Sequence, residues 1–456
     1  MALSDFPDLL KRGSMHGWFR KVLFWCHLAT GIVVGIVVLV MSVTGVLLTY
    51  EKQMLARANA RTYSVAPPHP GAQRLPPDQL VARVRQVEEG EPTSVIFRAG
   101  ADRPVEVAFG REKTVFVDPW TGRVLGQGAV KLKKFFAGVT SWHRWLAAEG
   151  ENRDMGKAIT GASNLGFLFL VLSGIFLWWP RNWSRQALRN VTWFRIGLRS
   201  RARDFNWHNV IGFWSFVPLA VVVASATVIS YPWASNLVYR VFGEEPPPRQ
   251  APGGGPGGGA AAAGGGSRGQ AARGEGARGE GPRVEGARGE GASRGEGAPE
   301  GGGDVLAGTG PLVAQAQGKV AGWRTITMTI PKAADAPVVF NIDRGSGGQP
   351  QKRASLTLER GTGREVKWQP FAAGTRGART RSVLRFAHTG EVLGIPGQTI
   401  AGLVSLGAAV LVWTGLWLSF RRLRSWRHRR ERFGAHGERR PAAAEAAREM
   451  AGTGAD

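Results

Sequence analysis

One cysteine, Cys26, stands among 456 residues. A disulfide within the chain is therefore impossible, and so is covalent attachment of a cofactor through a CxxCH motif. Cys26 lies in an apolar run and reads as a small membrane-buried hydrophobe. Acidic residues are also scarce, 34 against 59 Lys and Arg, for a net charge of +25. Such an excess could point to nucleic acid. Most of it flanks long apolar runs instead, so no nucleic-acid partner is expected. A Gly-rich dinucleotide fingerprint is missing as well.

What is present is concentrated in four apolar blocks, 22–50, 157–179, 207–233 and 396–420. Each reaches the ~20 residues that cross a hydrocarbon layer as a helix, the form that satisfies its own backbone there. The first block is too long for a cleaved signal and reads as a retained anchor. Basic residues orient the chain. The tail 1–21 carries Lys11, Arg12, Arg20 and Lys21; the loop 180–206 has seven arginines and one acid; the tail 421–456 opens "RRLRSWRHRRER". The positive-inside rule puts all three in the cytoplasm, with both termini. The expectation is a multi-pass α-helical protein of a bacterial inner membrane, in contact with the lipid bilayer.

The long connections then face the periplasm. Residues 246–303, a loose Arg-Gly-Glu-Gly-Ala repeat, have almost no large apolar residues and read as a disordered linker. Residues 51–140 and 304–380 read as small α+β modules. "PDQLVARVRQVEE" is followed by "TSVIFR", "VEVAFG" and "TVFVDPWTGRVLG"; "GPLVAQAQGKVAG" is followed by "RTITMTI", "PVVFNID" and "ASLTLERGTGREVKW". Both give one helix and three alternating strands, with a Thr-Gly-Arg turn in the third unit, Thr121-Gly122-Arg123 matching Thr362-Gly363-Arg364. The membrane blocks repeat too. His27 to Tyr50 and His208 to Tyr231 are each 23 positions; Gly161 to Gly174 and Gly402 to Gly415 are each 13. Four transmembrane helices in two repeated pairs are expected, each pair carrying one outer module.

Four of the eight histidines sit at equivalent places in the two copies: His27 with His208, and His143 with His388. His16, His69, His428 and His436 read as solvated. His27 and His208 stand near the cytoplasmic ends of helices one and three. His143, in an interfacial segment 141–156, and His388, in a segment 381–395, precede helices two and four on the outer side. An interfacial histidine is often only an amphipathic anchor. Two per face at repeated positions suit axial ligation of iron in two non-covalent b-type haems. A non-haem metal would want carboxylates or thiolates beside them. Arg144 and Arg385 could pair with haem propionates or be ordinary face charges. Most of the seventeen tryptophans suit interfacial belts.

"WHRWL" ahead of "LSGIFLWWPRNW", with "FNWHNVIGFW" and "AHTGEVLGIPGQ", resembles the PepSY-associated transmembrane family, and "VFVDPWTGRVLG" resembles a PepSY unit. The resemblance implies two haems held by His27, His143, His208 and His388, and ferric-siderophore reduction in iron uptake. Some relatives carry a cytoplasmic flavoprotein region. Here about 36 residues follow helix four, so a separate donor is expected, a quinol or a cytoplasmic reductase.

The first functional reading is therefore a haem-dependent oxidoreductase. It would pass electrons to a ferric siderophore or another periplasmic acceptor, with no side chain acting as acid or base. A membrane-anchored sensor or regulatory binding protein is the alternative, and it leaves the histidines unexplained. A transporter would want more midplane polar groups and broken helices.

Overall fold

The computed structural model describes residues 12–110, 113–179, 184–248 and 305–452, and side chains over 17–427 of these. Residues 249–303 of the expected linker and residues 1–11 of the N-terminal tail lie outside them. The first half runs α1 (Arg12–Leu48), α2 (Glu51–Thr62), α3 (Pro77–Arg85), β1 (Ser94–Arg98), β2 (Val105–Phe109), β3 (Lys113–Val117), β4 (Val124–Gly126), α4 (Val130–Trp145) and α5 (Asn152–Trp178). After α6 (Arg185–Thr192), the second half runs α7 (Ser200–Ser230), α8 (Pro232–Val241), α9 (Thr309–Lys319), β5 (Thr325–Thr329), β6 (Val338–Asp343), β7 (Arg353–Leu358), β8 (Glu365–Pro370), α10 (Arg376–His388) and α11 (Ile395–Gly452).

Four helices are long and apolar enough to cross a membrane: α1, α5, α7 and α11. They pack in the cyclic order α1, α5, α7, α11. Neighbours run antiparallel. Arg20 near the start of α1 donates to the carbonyl of Leu177 at the end of α5, and Tyr50 after α1 bonds Thr399 at the start of α11 at 2.7 Å. Small residues let the backbones approach. A Cβ on Gly35 would lie 3.0 Å from Leu416, and one on Gly166 would lie 2.9 Å from Val34. Cys26 is exposed on the bundle surface rather than buried in it.

The outer parts differ from the expectation of two three-strand modules. They form one eight-stranded antiparallel sheet, ordered β4-β3-β2-β1-β5-β6-β7-β8. The join is the β1–β5 pair, with Ser94 opposite Thr329 and Arg98 opposite Thr325. Each third unit, with its expected Thr-Gly-Arg turn, is a two-stranded hairpin. It turns at Gly122 (φ +73°) or Gly363 (φ +69°), a left-handed conformation that glycine adopts at little cost. Asp118 accepts from Thr121 at 2.9 Å in the first turn, and Glu359 accepts from Thr362 at 2.5 Å in the second. Alternation along the strands puts Val95, Phe97, Ile326 and Met328 on one face. Leu80, Val81 and Val84 of α3 and Leu312, Val313 and Ala316 of α9 join them in a single core. The two halves thus share one hydrophobic interior.

At the sheet end of the bundle, α4 and α10 lead into α5 and α11. α4 reaches further back than the expected segment 141–156, and α5 begins at Asn152 rather than at 157. Leu146 and Ala147 take φ of 55° and 58°, the costly left-handed conformation for side-chain-bearing residues. That sharp reversal presses Gly156 against the Trp145 carbonyl, where a Cβ would collide. α10 is capped by Thr375, whose hydroxyl accepts from the Ala378 N–H at 3.3 Å, and by Glu244, whose carboxylate accepts from the Gly377 N–H at 3.0 Å. α11 continues beyond the expected boundary at 420. Its extra turns hold "RRLRSWRHRRER", residues with good helix propensity.

Candidate functional site

His27 projects from α1 and His208 from α7 into one cavity of about 1210 Å³, at the end of the bundle away from the sheet. Its walls are largely apolar, and six glycines open them: Gly17, Gly31, Gly35, Gly174, Gly212 and Gly415. Two of these lie against the imidazoles. A Cβ on Gly174 would stand 3.6 Å from His27 Cε1, and one on Gly415 would stand 3.4 Å from His208 Cε1. Arg20, Lys21, Arg199, Arg201 and Arg422 also line the cavity, and no acid is among its lining residues. An apolar slot with a basic rim suits a flat apolar ligand carrying carboxylates.

The second pair meets at the sheet end. His143 lies in the last turn of α4, and His388 ends α10. Their ring centres are 6.2 Å apart, tilted by 47°. A metal held between two imidazoles at about 2.0–2.1 Å, with roughly 1.1 Å from each nitrogen to its ring centre, sets the centres about 6.3 Å apart. The observed 6.2 Å is of the length that two directly opposed ligands would give. Dense surroundings, and then the neighbouring His388, push the His143 pKa down to about 4, and burial lowers that of His388. Both rings are neutral at pH 7, the form that binds metal.

Each of the four rings is anchored through Nδ1 to a neighbouring helix. His27 Nδ1 lies 2.8 Å from Ser173 Oγ, His208 Nδ1 3.0 Å from Thr414 Oγ1, and His143 Nδ1 3.0 Å from Thr44 Oγ1. His388 Nδ1 lies 2.9 Å from the Val222 carbonyl. The hydroxyl protons are already committed. Ser173 donates to the Phe169 carbonyl at 2.6 Å, Thr414 to that of Val410 at 2.8 Å, and Thr44 to that of Val40 at 2.6 Å. Only an oxygen lone pair remains to face each imidazole, so Nδ1 carries the hydrogen and donates it. A carbonyl can only accept, so the same holds for His388. In every ring the Nε2 lone pair is left for a ligand.

The two levels are well separated. His27 and Thr44, the partner of His143, are seventeen residues apart on α1, about 25 Å along a helix axis. Among the described residues no three His, Cys, Asp or Glu side chains converge on a metal position. Two imidazoles at one level could hold a metal only together with ligands from elsewhere. A metalloporphyrin brings its own, and the glycine-opened cavity beside His27 and His208 has the room.

The other histidines take no part. His69 is exposed and bonds the Pro70 carbonyl; the side chains of His16, His428 and His436 lie outside the described residues. Arg144 and Arg385 are exposed next to the sheet-end pair, with guanidinium groups 4.7 Å from the Trp145 ring centre and 5.9 Å from that of Phe386. Reading histidines alone overlooks the Nδ1 acceptors. Their signal in the sequence is slight: Ser173 and Thr414 directly precede the repeated Gly174 and Gly415.

Comparison with curated proteins gives no match. The family model described as PepSY-associated TM region matches residues 24–422, a stretch that holds all four histidines, the whole sheet, α5 and α7 entire, and parts of α1 and α11. The chain belongs to the PepSY-associated transmembrane family.

Proposed function

We propose that this protein is a di-haem b oxidoreductase of a bacterial inner membrane, delivering electrons to a ferric siderophore on the sheet side. The sheet then lies in the periplasm as two PepSY-type halves, and both termini are cytoplasmic. The arginines at the far end of the bundle, among them Arg199, Arg201 and Arg422, support that orientation. The matched hairpins and helices about the β1–β5 pair support a duplicated unit. The observation that carries the functional reading is the pairing of four imidazoles. Two stand at each end of one bundle, and each is held by Nδ1 with Nε2 directed elsewhere.

Haem bound there would supply reversible one-electron chemistry. The protein's own tasks are mechanical and electrostatic. His27 and His208 would hold one haem, and His143 and His388 would hold the other. The glycines beside the far-end rings would leave space for the macrocycle, and Arg20, Lys21, Arg199, Arg201 and Arg422, which line the same cavity, would be available to its carboxylates. The apolar helices exclude water and ions between the two levels, so charge crosses without a leak. Ferric iron bound by hard oxygen donors is released when it gains one electron, so no side chain needs to act as acid or base. The electron would come from a quinol or a cytoplasmic reductase.

Alanine variants test the pairing. Substituting His143 or His388 should remove one haem and leave the other, with the same residual spectrum in both variants. Substituting His27 or His208 should leave the opposite one. Loss of the same haem from His27→Ala and His143→Ala would contradict the pairing.

A further inference from the structure

The ligand pairs are held unequally. At the far end both imidazoles donate to side-chain hydroxyls, those of Ser173 and Thr414. At the sheet end one donates to the Thr44 hydroxyl and the other to the main-chain carbonyl of Val222. All three hydroxyls are pinned, because each spends its own proton on a carbonyl four residues earlier in its helix. Ser173 and Thr414 are buried, at 5% and 6% exposure, so water does not readily replace them.

We propose that Ser173, Thr414 and Thr44 are positioning residues that set the reduction potentials of the two redox centres. The hydroxyls of Ser173 and Thr414 would govern the far-end centre alone, and that of Thr44 the sheet-end centre alone. This inference rests on the haem reading above and adds to it the groups that tune each site. The physics is that of an outer ligand shell. A hydrogen bond from Nδ1–H draws that proton outward and leaves more electron density on Nε2. A more basic axial ligand favours the ferric state and lowers the potential. The pinned hydroxyl also fixes the rotation of the ring about its Cβ–Cγ bond, and with it the plane in which Nε2 points. Because the Val222 carbonyl belongs to the backbone, one half of the sheet-end restraint survives any side-chain change at Thr44.

The test is a spectroelectrochemical titration of the purified full-length holoprotein, with low-temperature EPR of its ferric form. Thr414→Val and Ser173→Ala should each shift one of the two midpoint potentials upward and leave the other in place. The double variant should shift that same midpoint by about the sum. Thr44→Val should raise only the other midpoint. Thr414→Ser and Ser173→Thr, which keep a hydroxyl, should restore the wild-type potential and EPR signature. Loss of haem from Thr414→Val but not from Thr414→Ser would be the stronger form of the same result. Two outcomes overturn the inference. In one, the variants keep both haems and titrate at wild-type potentials. In the other, haem is lost from Thr414→Ser, where the hydroxyl is retained. A wild-type protein without haem would instead defeat the functional reading itself, before any variant is compared.

Discussion

A Cβ built on Gly415 of α11 would stand 3.4 Å from Cε1 of His208 on α7, and Gly174 of α5 stands in the same relation to His27 at 3.6 Å. One methyl fits at such distances, and a branched side chain does not. Gly415→Leu or Gly174→Leu should fill the cavity beside the imidazoles and take the haem content from two per chain to about one. The sheet-end spectrum should persist. Pyridine haemochrome quantification of the purified variants reads this directly, and full retention of both haems would show that the glycines do not bound the site.

Lys52 Nζ lies 2.6 Å from Glu391 Oε2, with the lysine side chain 49% exposed and the glutamate only 11%. The pair joins α2 to the short turn before α11, beside the Gln53–Gln398 hydrogen bond at 2.6 Å. Removing the two partners should not be equivalent. Lys52→Ala leaves a buried carboxylate without its cation and should destabilise the protein by about 1–3 kcal/mol. Glu391→Gln keeps a hydrogen-bonding acceptor and should cost less. Thermal unfolding in detergent compares them, and an equal cost would contradict this asymmetry.

Ile326 is fully buried at the centre of the shared sheet, on the strand that joins the two halves. Ile326→Ala should cost about 2–5 kcal/mol. The loss should appear in the melting of the sheet, while the haem bands of the folded protein stay unchanged, because no ligand or Nδ1 acceptor belongs to a strand. Far-ultraviolet circular dichroism and Soret absorbance followed together would separate the two. A displaced Soret band in the folded variant would mean that the sheet shapes the ligand geometry.

Much of this architecture is legible in the sequence, because membrane spans depend on long apolar runs, a signal that no tertiary contact is needed to read. His27 and His208 stand out for a related reason: each lies 23 positions before a tyrosine, Tyr50 or Tyr231, a match read along the chain alone. The union of the outer modules is not legible. Ser94–Arg98 and Thr325–Thr329 each alternate as a half-buried strand would, and alternation does not say which edge a strand pairs with. The turns at Gly122 and Gly363 are legible from their Thr-Gly-Arg triplets, but the return strand after the first, β4, has only three residues and is too short to show alternation. α4 was missed over most of its length because Lys131, Lys133 and Lys134 interrupt its apolar side. The Nδ1 acceptors depend on helix rotation. Ser173, Thr44 and Thr414 look like ordinary polar residues in apolar spans until the helices are packed.

The most direct measurement is the iron-porphyrin content and reduced-minus-oxidised spectrum of the full chain, purified in detergent from cells supplied with haem precursor. The account predicts two b-type haems per chain, both low-spin with two imidazole ligands in the ferric EPR spectrum. An intact protein of normal stability that carries no iron porphyrin would contradict it.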